Sequence, residues 1–221
     1  MKRTALPLLQ IANVMVNFWS VHLDYENYGP YAACNKFVTS AFQIEAGEYN
    51  LDMPKSPGRA QNMLELVNHP LFLSHSEQSD LIPMLVAGDF NCPSHLDWID
   101  AAKHLHCNWT FSWPATKILD DDTGFVDTYR ALNPDPVKDP GITWSTVQKS
   151  TPGWGWTIPE PQDRIDFIHF KCGTGCTASG FQPKSIQHYN GRTGEIVLPK
   201  PYCDHNDWPS DHFGVIADFN M

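Results

Sequence analysis

The sequence predicts an α/β fold with chemistry-bearing residues gathered at the ends of apolar strands, and three observations predict it. Strand-type apolar runs alternate with segments of helical spacing, the pattern of packed sheet and helix layers. Three runs adjoin short polar motifs. Gly88-Asp89-Phe90-Asn91 follows residues 81–87, Asp163-Arg164-Ile165-Asp166-Phe167 opens onto 167–170, and Ser210-Asp211-His212 precedes 215–219. The 221 residues, 42% hydrophobic and 12% aromatic, are expected to form one domain over 1–221 that buries most of its apolar surface.

Residues 14–22, ending at His22, alternate and are rich in β-branched and aromatic side chains, so they read as a strand. Residues 3–11 are its candidate hairpin partner. After Gly29-Pro30, recurrence at Tyr31, Cys34, Val38, Ala41 and Phe42 predicts a helix over 31–45, with proline near its start. A shorter helix is expected over 60–67. Residues 81–87 form a continuous apolar run of the kind buried on both sheet faces. Ser94-x-x-Asp97 has the form of a capping box and predicts a third helix with Leu96, Ile99, Ala102 and Leu105 on one face. Residues 109–161 are loop-rich around a short structured segment at 124–132; loops of this length shape a site or move. A strand over 167–170, a weakly patterned stretch over 172–206 and a final strand over 214–220 follow. There is no internal repeat or low-complexity tract.

The formal net charge is −10, from 15 basic and 25 acidic residues. Such a surface repels polyanions, which disfavours duplex binding through a broad basic face and suits a small phosphorylated substrate or a bound cation. No stretch approaches the roughly 18 apolar residues of a membrane span. The opening Met-Lys-Arg-Thr-Ala-Leu-Pro-Leu-Leu-Gln has a signal peptide's charge, but Pro7 and Gln10 break its apolar run, and it reads as part of the fold. Six cysteines (34, 92, 107, 172, 176 and 203) are too few for a disulfide scaffold. Cys172-x3-Cys176, with Cys203 and His205 downstream, admits zinc, a local disulfide or inert thiols. Asn108-Trp109-Thr110 is a glycosylation sequon, which leaves secretion open alongside an intracellular location.

Taken singly, each motif has a plain alternative. Asp89 and Asn91 suit a turn, Asp211-His212 a loop start, Asp166 a partner for Arg164, and His22 a hydrogen-bonded strand end. Together they suggest a site that holds a divalent cation and activates water against a phosphate ester. With Ser20-Val-His-Leu-Asp-Tyr25, Val86-Ala-Gly-Asp-Phe-Asn91, Gly141-Ile-Thr-Trp-Ser145, Asp163-Arg-Ile-Asp-Phe-Ile168 and Trp208-Pro-Ser-Asp-His212 in this order, the chain resembles the endonuclease/exonuclease/phosphatase superfamily, the deoxyribonuclease-I-like hydrolases.

The resemblance implies a four-layer sandwich of two mixed sheets flanked by helices, and Mg²⁺- or Mn²⁺-dependent hydrolysis of phosphoesters. Asp89 would orient and deprotonate the attacking water, and Asn91 would bind the phosphate. His212 would contact the phosphate with Asp166 fixing its tautomer, Asp211 would ligate the metal, and His22 would serve the leaving group. Trp144 would line the substrate side, and Trp154 and Trp156 are either structural or in contact with substrate. The family's opening strands, one bearing an Asn and the next ending in Gln-Glu, have no counterpart before residue 14, so the main glutamate ligand is missing. The expectation is a fragment lacking those strands, or a site with a weakened metal. Two other readings stay open: a catalytically dead binding module, and a lipid phosphodiesterase of the sphingomyelinase type. The substrate class therefore spans nucleic acids, lipids and small phosphate esters.

Overall fold

The computed structural model describes residues 8–11, 14–50, 56–145, 150, 157, 159–178, 180–189 and 210–220. β1 (Leu8–Ile11) is antiparallel to β2 (Val14–His22), as expected of the hairpin. The chain then crosses through four helices, α1 (Gly29–Cys34), α2 (Ala41–Tyr49), α3 (Arg59–Val67) and α4 (Pro70–Glu77), to reach β3 (Met84–Asp89), which lies parallel to β2. A 3-10 helix at Asp100–Leu105, α5 (Pro114–Lys117) and a π-type turn at Ile118–Asp122 lead to β4 (Val126–Asp127) and α6 (Thr128–Leu132). β5 (Asp166–Lys171) enters antiparallel to β3 and β4, completing a five-stranded mixed sheet of order β1-β2-β3-β5-β4. After α7 (Thr174–Ala178), β6 (Gln182–Tyr189) and β7 (Gly214–Asn220) form a second, antiparallel sheet. The α/β class expected from sequence is the class observed.

The departures have physical causes. The helix expected over 31–45 is two helices, because Lys36 adopts φ 60 and stops the first. Gln43 then accepts the Ser40 N–H at 3.1 Å and starts the second. The second helix turns Ile44 and Glu48 inward, leaving Phe42 exposed. The strand expected from residue 81 starts at Met84, since Pro83 has no N–H to give the ladder. The helix expected after Ser94 is a turn followed by 3-10 structure. Asp97 and Trp98 both point inward, to two guanidiniums and to Asp163 respectively, which leaves Leu96, Ile99 and Leu105 largely exposed. Helix α4 was not foreseen; its local signal is Pro70 in the first turn after His69, whose ring accepts the Leu71 N–H.

The core lies between the five-stranded sheet and the helices. Trp19, Val86 and Phe167 from the strands pack with Ala60, Met63 and Phe72 from α3 and α4. Two buried ion networks sit at its edge. Glu48 and Arg59 are fully buried partners 2.6 Å apart, and Arg59 also donates to the carbonyls of Asp24 and Asn27, pinning the loop that follows β2. Arg164 bonds Asp97 and Asp127, while Arg130 shares Asp97. Cys34–Cys107 and Cys172–Cys176 are disulfides, and Cys92 is a buried thiol. A bonded Cys172–Cys176 pair cannot serve zinc; Cys203 and His205 lie outside the described residues. Among the described residues no helix is long and apolar enough to cross a membrane.

Candidate active site

The site is one rung of the large sheet. The β2–β3 register places His22 beside Asp89, and the β3–β5 register places Asp89 beside Asp166. Strand ends from three positions in the sequence thus deliver an imidazole and two carboxylates to one rim. His22 Nε2 lies 3.7 Å from Asp89 Oδ2, with the His22 side chain 72% exposed and that of Asp89 20% exposed. Within Asp89-Phe90-Asn91 the phenylalanine is the anchor: it is fully buried and packs on Phe167 with ring centroids 4.9 Å apart. Its neighbours are left at the rim. Asn91, at φ 51, donates its backbone N–H to Asp89 Oδ1 (2.8 Å) and one amide hydrogen to the Leu23 carbonyl (3.0 Å).

His212 arrives from the start of β7. Its Nδ1 is 2.9 Å from Asp166 Oδ2, a contact in which a protonated Nδ1 donates to the carboxylate. The alternative partner for Asp166, Arg164, is committed instead to Asp97 and Asp127. Thr143 was not singled out from sequence, yet it holds this region: its hydroxyl accepts the N–H groups of Ile165 and Asp166, and its carbonyl accepts the Phe213 N–H at 2.8 Å. The signal lay in the block Gly141-Ile-Thr-Trp-Ser145, where the tryptophan drew attention from the threonine. Trp144 donates its indole N–H to Asp211 Oδ2 at 3.3 Å, and its ring stands 5.3 Å from Tyr28 and 6.3 Å from His212. Asp24 is a loop anchor, accepting from Ser56 Oγ and the Gly58 N–H. Trp154 and Trp156 lie outside the described residues.

The electrostatics follow from crowding. Burial, and then the neighbouring Asp166 charge, raise the Asp89 carboxyl to about 6 against the opposing effects of the Asn91 N–H and the two histidines. Burial pulls His212 down, but its hydrogen bond to Asp166 and the charges of Asp166, Asp89 and Asp211 leave it net raised. Ligand atoms of Asp89, Asp166 and His212 all lie within 4.8 Å of one another, so these three could hold a metal ion. Asp211, expected as a metal ligand, is not one of the three; it is held by Trp144.

No protein-family model matches the sequence. The chain is 46% identical over 207 residues to an uncharacterized protein of Caenorhabditis elegans, covering 94% of this chain and 60% of the relative's length. The chain therefore spans less than two thirds of that relative. In structure it superposes on the 3′-5′ exonuclease NExo from Neisseria meningitidis with a TM-score of 0.51 at 19% identity, covering 99% of this chain and 70% of the exonuclease. The two share a fold. An endonuclease/exonuclease/phosphatase family protein from Leptotrichia buccalis aligns at a TM-score of 0.43 and 18% identity over 96% of this chain and 52% of that one.

Proposed function

We propose that this chain is a metal-dependent phosphoester hydrolase domain in which water attacks phosphorus. The observation that carries the reading is the rung His22–Asp89–Asp166 with His212 hydrogen-bonded to Asp166. Two carboxylates directly opposite on neighbouring strands repel each other. A site built around such a pair fits a divalent cation, which the carboxylates of Asp89 and Asp166 would hold, with His212 beside them and Asp211 lying close enough to act on the same charges. A bound Mg²⁺ or Mn²⁺ would neutralise negative charge on the phosphate.

The chain's own groups do the rest. Asp89, largely ionised at neutral pH yet more basic than an ordinary aspartate, takes the proton of the attacking water. The backbone bond from Asn91 fixes that carboxylate, and the amide hydrogen of Asn91 not given to Leu23 is left for a phosphate oxygen. His212, held by Asp166 and raised toward its charged form, contacts the phosphate and the charge that builds on it. His22 is exposed beside Asp89 and able to protonate the leaving oxygen. Trp144 forms an aromatic wall next to His212.

A second reading is supported by the donor set itself: two carboxylates and an imidazole, with no glutamate among the three. On that reading the domain binds phosphorylated ligands without turning them over. One experiment separates the two. Hydrolysis of bis(p-nitrophenyl) phosphate is followed with Mn²⁺ or Mg²⁺, with EDTA, and in His212→Ala, and DNA, sphingomyelin micelles and an inositol phosphate are then compared as substrates. Turnover that EDTA abolishes and that drops about 10²–10⁴-fold in the variant supports the hydrolase. Chelator-insensitive turnover, or full activity in the variant, defeats it. Absence of turnover on every substrate, with saturable ligand binding, establishes the binding module.

A further inference from the structure

The sequon Asn108-Trp109-Thr110 takes no part in the site, and its setting in the fold is informative. It occupies the turn after the 3-10 helix Asp100–Leu105, immediately beyond Cys107, whose disulfide ties this turn to the end of α1. Asn108 adopts φ 67, a left-handed conformation that asparagine tolerates better than most residues. The turn is fixed by the Asn108 N–H on the Lys103 carbonyl (2.8 Å) and the Trp109 N–H on the His106 carbonyl (3.0 Å). Trp109 is the anchor, half-buried with its indole N–H donated to the Ala33 carbonyl at 3.1 Å. Asn108 and Thr110, on either side, are both exposed. The two side chains a glycosyl transferase must read are thus open, and the one it ignores is packed.

A separate observation points to the compartment where such a transferase works. Four cysteines are paired, as Cys34–Cys107 and Cys172–Cys176, and the one free thiol among the described residues, Cys92, is fully buried. Paired cysteines belong to oxidising compartments. In eukaryotic cells N-glycans are added in the same space. No other Asn-x-Ser/Thr triplet occurs in the sequence.

We propose that Asn108 is an N-glycosylation site and the attachment point of this chain's single N-linked oligosaccharide. The donor is a polyprenyl-diphosphate-linked oligosaccharide. The Asn108 amide nitrogen forms a bond to the anomeric carbon and the carbon–oxygen bond to the diphosphate breaks. The diphosphate leaves with the electron pair, and one amide proton passes to a base of the transferase.

The test has two arms. The first uses the protein isolated from its own organism. Treatment with peptide-N-glycosidase in heavy-oxygen water, followed by mass spectrometry of the tryptic peptide 104–117, is expected to show aspartate carrying the label at position 108. In the second arm the 221-residue chain, behind a cleavable leader, is made in insect cells, and microsomal and secreted fractions are compared. A glycosidase-sensitive mobility shift is expected in the parent and in Thr110→Ser, and none in Asn108→Gln. Because transfer occurs during translocation, a poorly folding product still reports from the microsomes. An unmodified peptide 104–117 from the native protein, or an unshifted chain in the microsomes, overturns the proposal. Hydrolase activity is not read in either arm, so the outcome is independent of the function proposed above.

Discussion

Asp89→Asn should make this protein more stable and, if the hydrolase reading holds, inactive, and the size of the gain can be worked out. The carboxyl titrates at about 6 in the fold against an ordinary value of 3.8. At about 1.4 kcal/mol per tenfold change in proton affinity, ionising Asp89 in its folded setting costs about 3 kcal/mol. The sign follows from the direction of the shift. Below the ordinary value both folded and unfolded chains carry the proton and nothing is lost. As pH rises from about 4 through about 6 the unfolded chain ionises first, and that contribution to stability disappears. Asparagine never ionises and its carbonyl oxygen can still accept the Asn91 N–H. Urea unfolding at pH 7.5 should therefore find the variant about 1–3 kcal/mol more stable than the parent. At pH 4 the difference should vanish. Asp127, which Arg164 and His169 hold down to about 2 despite its burial, loses its stabilising ionisation as pH falls toward that value, but it is common to both proteins and cancels. A difference that is absent at pH 7.5, of opposite sign, or equal at both pH values would refute the claim that burial and Asp166 strain this carboxylate.

The remaining predictions concern activity and architecture. If the hydrolase reading holds, kcat/KM should fall about tenfold per pH unit below about 6 as Asp89 takes up its proton, with the alkaline limb above histidine's ordinary 6.5; a stopped assay across buffers of constant ionic strength checks this. Asp166→Asn should lower that alkaline limb, because His212 loses both its charged hydrogen-bond partner and the nearest opposite charge; an unmoved limb would show that the pair does not set the imidazole's basicity. Arg164→Met should destabilise the protein by about 3–5 kcal/mol, since it leaves Asp97 and Asp127 buried with less countercharge; thermal melts read the loss. Replacing Cys34 and Cys107 together by alanine should cost about 2–4 kcal/mol, as befits a bridge across a 73-residue separation, measured by urea unfolding under oxidising conditions.

Much of this fold was legible because its strands carry local signals. β2 alternates clearly, β7 has the expected limits, and α3 follows its Ser-Pro-Gly turn within one residue. The pairing of Asp166 with His212 was inferred through resemblance and is present as a 2.9 Å contact. What sequence obscured was what long-range partners impose. Asp97 looked like a helix-start residue because nothing nearby reveals that Arg130 and Arg164, 33 and 67 residues later, draw it inward. Lys36 is an ordinary helix former by type, yet it takes φ 60 two residues after Cys34, whose bridge to Cys107 no local pattern reveals. Thr143 is unremarkable in composition and becomes important only where a hydroxyl must receive two adjacent N–H groups.

The rung that aligns His22, Asp89 and Asp166 behaves like a ruler made of backbone. Its spacing comes from ladder pairing between strands, so it does not depend on the length or content of the 61 residues that cross from His22 to Met84. Gly88 sharpens that ruler: at φ 143, any side chain there would collide with the Val21 carbonyl, so β2 and β3 meet at a closeness only glycine permits. Insertions in the crossover can therefore redraw what reaches the rim while His22, Asp89 and Asp166 stay in place. If the hydrolase reading holds, a lineage could change its substrate by editing the crossover alone, and a designer could graft new segments with the same freedom.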